Sequence, residues 1–216
     1  LGGNSGECRF EAEDWEHLID LVERSYRSQG VRWVVSNSPR TPQAASDLVA
    51  GRVAAGSAAI AEFVDVRLTG PGTLERVLRR AQAIVCTDDS STMISECVSA
   101  GLPVIGARPH RAQFTRDEQS YRKYLIENGW YRSVPISELT PDSLMNEIAS
   151  VQPLTEDPIE QLASMLQKHL PELFAPESLG PVGAGHYAAE SGVYAPGGLV
   201  PAGEPRPLLP GAAHQG

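Results

Sequence analysis

The sequence predicts an α/β fold, a Rossmann-like parallel sheet flanked by helices, and two observations carry that expectation. Short, apolar, β-rich runs alternate with amphipathic helical stretches through residues 1–170. The connections between them are short, so right-handed crossovers would line up the strand-to-helix loops along one sheet edge. Beyond residue 170 the composition changes. Residues 171–216 hold eight Pro and nine Gly, and Arg206 is their only basic group. Such a stretch buries too little apolar surface to offset its conformational entropy, so a disordered tail is expected there.

Taken in order, the elements follow from period and punctuation. Trp15, Leu18, Ile19, Leu21, Val22 and Tyr26 recur at helical spacing over residues 12–29, and Gly30 stops the helix. VRWVVS at 31–36 reads as a strand, and Thr41-Pro42 opens a second helix with proline in its first turn. Residues 59–66 are strand-like, and 73–81 form a helix with Leu74, Val77 and Leu78 on one face. AIVCT at 83–87 is a strand and 90–100 a helix that Gly101 ends. A short strand at 103–106 follows, then helices at 116–128, about 141–150 and 158–168.

Charge and cysteine usage exclude several classes. The 216 residues carry 18 basic and 27 acidic groups, a net charge of −9, and the basic ones are scattered. A nucleic-acid surface is therefore not expected. No apolar run approaches the roughly 18 residues of a membrane helix. Cys8, Cys86 and Cys97 show neither zinc spacing nor an even count, so no metal site or disulfide framework is expected and the compartment is read as reducing. The chain opens at Leu1 without a Met or a signal pattern and reads as a fragment.

Three strand-to-helix loops offer ligand chemistry. The first contains Gly3, Asn4, Ser5 and Gly6, where glycines would let backbone N–H groups approach a phosphate. A tight turn explains the same residues. In the second, Ser38, Arg40 and Thr41 put hydroxyls and a guanidinium beside a helix start, suited to an anion. The third runs from Thr87 through Asp88, Asp89, Ser90, Ser91, Thr92 and Met93 to Glu96. Asp89 is the expected helix cap, and the N–H groups of Ser90–Thr92 would face outward from the sheet edge. Glu96 lies roughly 9 Å along the helix, a spacing that suits a diphosphate at the helix start and a ribose held by the carboxylate. An ordinary capped helix with a solvated Glu96 is the plain alternative. Downstream, Arg108, His110, Arg111 and Gln113 form a basic, polar loop at the same edge.

Together these motifs resemble the C-terminal, donor-binding half of GT-B glycosyltransferases. The pattern is Gly-Gly-x-Ser-x-Gly, then T-x-D-S-x-x-M-x-S-E and A-G-L-P-V at 87–104. Within that class the chain is most similar to the family named after plant mitochondrial-fission, "elongated mitochondria" mutants, which has many bacterial members. Ser38-Pro39-Arg40-Thr41-Pro42 matches its Ser-Arg-Arg-Thr-Pro except at Pro39, and Thr87-Asp88-Asp89-Ser90 its Thr-Ala-Asp-Ser except at Asp88.

The resemblance covers residues 1 to about 150 and implies a role for each loop. Glu96 would hold the ribose, while Ser5, Gly6, Arg40 and Ser90–Thr92 would hold the diphosphate. Arg111 and Gln113 would lie near the sugar. Asp88 would add a negative charge beside an anion site. A nucleoside-diphosphate sugar is then the substrate, with no cofactor and no metal, and a glycan or lipid-linked molecule is the acceptor. The expected partner is an N-terminal domain absent from this chain together with most of the first strand; any peripheral membrane contact would run through it. The expected location is the cytoplasm or the cytoplasmic face of the inner membrane, and the isolated chain is expected to be inactive. A non-catalytic scaffold and a nucleotide-sugar epimerase are the rival readings.

Overall fold

A computed structural model describes residues 1–6, 8–70, 72–155 and 158–171. Contacts divide the chain into a unit at Leu1–Leu170 and another at Pro171–Gly216. The expectation of a disordered tail falls outside the described residues.

The first unit opens with α1 (Ala12–Gln29), closed at its start by a Glu11–Asp14 capping box and at its end by Gly30 at φ 72°. Then come β1 (Trp33–Ser36), α2 (Gln43–Ala54), β2 (Ile60–Val64) and the short helices α3 (Val66–Thr69) and α4 (Thr73–Leu78). β3 (Ile84–Thr87), α5 (Ser91–Ser99), β4 (Val104–Arg108) and α6 (Arg116–Glu127) follow. The unit finishes with β5 (Tyr131–Pro135), a 3-10 turn (Ile136–Glu138), α7 (Pro141–Ser150) and α8 (Pro158–His169).

The strands are parallel, as expected, but they form two sheets: β1-β2 and β3-β4-β5. Residues 1–3 bridge them without a ladder. The Leu1 nitrogen donates to the Ser36 carbonyl at 2.5 Å, and Gly2 N–H donates to the Thr87 hydroxyl at 2.6 Å.

Three clusters make the core. α1 packs Trp15, Leu18 and Leu21 with Ile105 and Ala107 of β4 and with Leu144 of α7. On the other face of β4, Val104 joins Cys86 of β3, Ile94 and Val98 of α5, Leu125 of α6 and Tyr131 of β5. Ile19 and Val22 of α1 meet Val35, Val49 and Ile60 in the third. β4 is the middle strand of its sheet, and its first four residues are buried on both faces. Each fully buried aliphatic side chain contributes about 1.5–3 kcal/mol.

Four expectations need correction. Pro42 is the residue before α2, at φ −55° and ψ 143°, and not part of its first turn. Residues 66–69 are helical because the Asp65 carboxylate accepts from Arg67 N–H and starts a turn there. The cap of α5 is Ser90, whose hydroxyl accepts from Met93 N–H at 3.3 Å, and not Asp89. Finally, no strand is expected from YRSVP, yet Tyr131–Pro135 pairs along the whole of β4. Its polar alternate residues hide it: β5 is an edge strand whose Pro135 needs no ladder donor.

Candidate functional site

The glycine loop is built for close approach. A Cβ on Gly2 would sit 2.2 Å from the Asp89 carboxylate, and one on Gly3 would sit 2.1 Å from the Arg40 carbonyl. No larger residue fits at either position. Asn4 closes the turn by accepting from Phe10 N–H at 2.8 Å, while Ser5 and Cys8 exchange backbone hydrogen bonds around Gly6 at φ 54°. The tight-turn reading and the ligand-loop reading thus draw on the same residues.

In the loop after β1, Ser38 and Thr41 fold the chain on itself. Thr41 is buried; its hydroxyl accepts from Ser38 N–H and donates to the Leu1 carbonyl, both at 2.9 Å. Arg40 reaches across to Asp89 at 3.0 Å and keeps 43% of its side chain exposed. Asn37, the amide of the same loop, is buried. It donates to Ser46 and Asp65 and accepts from Val66 N–H, stapling the ends of β1 and β2 together.

The loop after β3 carries two buried carboxylates side by side. Asp89 accepts from Gly3 N–H at 3.3 Å and from Arg40, and its other oxygen has no partner. Asp88 lies against α6. Arg122 donates to its carboxylate at 2.7 Å and to its carbonyl at 3.2 Å, and Ser133 donates to the second oxygen at 2.5 Å. Asp88 is therefore neutralised inside the fold, which corrects its reading as an extra negative charge beside an anion site. Arg122 also donates to the Ser91 hydroxyl at 3.1 Å and stacks 3.9 Å over the Phe114 ring. Through it the start of α5 is fixed to α6.

Further along α5, Met93 packs into the second cluster, while Thr92 and Glu96 are exposed. Among the described residues, the Glu96 carboxylate makes no hydrogen bond or ion pair.

After β4 the chain turns back toward the first loop: Arg9 N–H donates to the Arg111 carbonyl at 2.8 Å. The Arg111 guanidinium pairs with Glu11 at 3.2 Å. Gln113 faces a cavity of about 760 Å³ whose walls include Arg108, His110, Phe114, Ser137 and Glu138.

The structure thus joins Gly3, Arg40 and Asp89 directly and ties Ser91 to them only through the chain. It places Gln113 in a different hollow and turns Arg111 onto Glu11. Arg122 and Ser133 were missed. Arg122 had a legible signal, since it lies three residues before Leu125 and so shares the buried face of its helix. A cation there demands a buried anion.

Burial governs titration nearby. It pushes the Tyr131 phenol well up, and Asp88 adds to that. It pushes the Cys8 thiol up to about 11, again with Asp88 adding. Among the described residues no three His, Cys, Asp or Glu side chains gather as a metal site, and no helix is long and apolar enough to cross a membrane.

Comparison with known proteins gives the setting. A solved structure described as the glycotransferase of kitacinnamycin is 15% identical, with a TM-score of 0.44, over 79% of this chain and 38% of that one. This chain thus spans less than half the length of that protein. No curated protein matches it. The family model for "Mitochondrial fission ELM1" matches residues 1–170, and the chain belongs to that family.

Proposed function

We propose that residues 1–170 hold the nucleoside-diphosphate part of a nucleotide-sugar donor, as the donor half of a GT-B-type glycosyltransferase. The complete protein would transfer the sugar to a glycan or lipid-linked acceptor at the cytoplasmic side, and this half alone would bind without turnover. The observation that supports it is the meeting of the glycine loop, Arg40 and the β3–α5 loop around Asp89, at the carboxyl ends of β1 and β3. There a diphosphate would find the free N–H groups of the first turn of α5 and a half-exposed guanidinium. Glu96, exposed and unpaired on the same helix, is the group to accept ribose hydroxyls.

Calorimetric titration of the 216-residue chain with UDP, GDP, ADP and CDP tests this. One nucleotide should bind, and Glu96→Ala should weaken it at least tenfold, about 1.4 kcal/mol. Binding of none would overturn the donor reading. One observation favours a scaffold instead: Arg40, the cation meant for phosphate, already has a carboxylate partner in Asp89. Failure of the nucleotide panel would leave that reading standing.

A further inference from the structure

A second hollow lies beyond the loops around Asp89. It is an open hollow formed by the carboxyl ends of β4 and β5 and the start of α6, of about 760 Å³, in the range of small-molecule sites. Its polar walls carry Arg108, His110, Gln113, Ser137 and Glu138. Four of them, His110, Gln113, Ser137 and Glu138, are exposed and Arg108 is partly buried; among the described residues none of these side chains has a hydrogen bond or an ion pair. One wall is stiff, because Phe114 is stacked against Arg122 and its carbonyl accepts from Gln119 at 2.8 Å.

Arg108 is the informative member. Three described arginines are less than exposed: Arg108, Arg122 and Arg132. Arg122 is paired with Asp88 and Arg132 with Glu147. Among the described residues Arg108 is the one of these three without a partner, in a chain with more acidic than basic groups and with Glu138 on the wall of the same cavity. Arg108 is partly buried at the rim of the cavity, where its fork matches a carboxylate that a ligand can supply. The remaining groups are an amide, a hydroxyl, an imidazole and a carboxylate, a mixture of donors and acceptors suited to the hydroxyls of a sugar ring rather than to an apolar ligand.

We propose that this cavity binds a sugar ring bearing a carboxylate, with Arg108 holding the acid group and Gln113, Ser137 and Glu138 holding ring hydroxyls. That the sugar arrives on a nucleotide rests on the donor reading above; the chemistry of the cavity does not. The test compares free glucuronate with free glucose on the full chain by NMR titration, beside UDP-glucuronate, UDP-glucose and UDP by calorimetry. Glucuronate should bind at least tenfold tighter than glucose. Arg108→Gln should erase that preference, and Arg108→Lys should restore part of it. UDP affinity should be unchanged in both variants. Equal binding of glucuronate and glucose, or a preference that survives Arg108→Gln, would overturn the proposal. If glucuronate binds through Arg108 but no nucleotide binds, the cavity stands, the donor reading falls, and the acid sugar belongs to an acceptor.

Discussion

Asp88 and Asp89 are neighbours at the end of β3, both buried, and the protein holds them in opposite ways. Asp88 is enclosed by Arg122 and Ser133, and the arginine itself is only 5% exposed in its side chain. Asp89 is held by one backbone N–H and by an arginine that is 43% exposed, and one of its oxygens has no partner. The first arrangement is closed and serves the fold. The second has a partner that can move, at the place where three loops meet. A buried charge is fixed by the desolvation of its partner, so the more exposed the partner, the more readily another anion can claim it.

The largest expected effect breaks the closed side. Arg122→Met strands Asp88 without its cation and frees the start of α5 from α6. It should destabilise by about 3–5 kcal/mol, read as a drop in Tm on the order of 10 °C. Adding Asp88→Asn should recover much of this, because no uncompensated charge then remains. A double variant as unstable as Arg122→Met alone would mean that the packing of Arg122 over Phe114 matters more than the ion pair.

Next comes the floor under Asp88. A Cβ on Gly106 would lie 1.7 Å from the Tyr131 hydroxyl, so Gly106→Ala should cost about 1–3 kcal/mol in urea unfolding. Tyr131→Phe should cost no more than about 1 kcal/mol, the size of one hydrogen bond, since the hydroxyl it removes lies beside Asp88. Combined, the two changes should cost less than the sum of their separate costs.

The same contrast explains what the sequence made legible. Apolar, β-branched runs such as VRWVVS and AIVCT announced strands, and their alternation with helices announced parallel pairing. Tyr131–Pro135 escaped because an edge strand tolerates polar residues and proline. In the loops, glycines, hydroxyls and Arg40 were visible as types, but their partners were not. Whether Arg40 faces solvent or Asp89, and whether Asp88 is bare or covered, depends on contacts across 49 and 34 positions of chain. Local pattern holds no record of such pairs. Arg122, although missed, left a local trace: it lies three residues before Leu125 on the buried face of its helix, where a cation requires an anion.

On the open side the expected effects are smaller. Arg40→Ala removes a 43%-exposed cation from Asp89, leaves the Gly3 N–H and lets water enter where the arginine lay, so the loss should be about 1–2 kcal/mol. A loss as large as that for Arg122→Met would erase the contrast between the two carboxylates. The nucleotide that binds the wild-type chain should bind Arg40→Ala more weakly, whereas a purely structural Arg40 would leave its affinity unchanged.

The smallest effect concerns how α6 is held in place to present Arg122. Thr115 and Glu118 form a capping box: the Thr115 hydroxyl accepts from Glu118 N–H, and the Glu118 carboxylate accepts from Thr115 N–H at 2.9 Å. That backbone hydrogen bond, helped by the Thr115 hydroxyl, lowers the Glu118 pKa below its ordinary value of 4.5. A carboxyl whose folded pKa is depressed contributes stability above its unfolded pKa and loses it as pH falls through the folded one. The wild-type chain should therefore lose this increment below about pH 4.5. Glu118→Gln should remove that part of the pH dependence, and Thr115→Ala should cost about 1 kcal/mol at neutral pH. If the cap also positions Arg122, Thr115→Ala should cost less in the Arg122→Met background than in the wild type. Equal costs in the two backgrounds would show that the cap supports α6 alone and that the Asp88 cluster holds Arg122 without it.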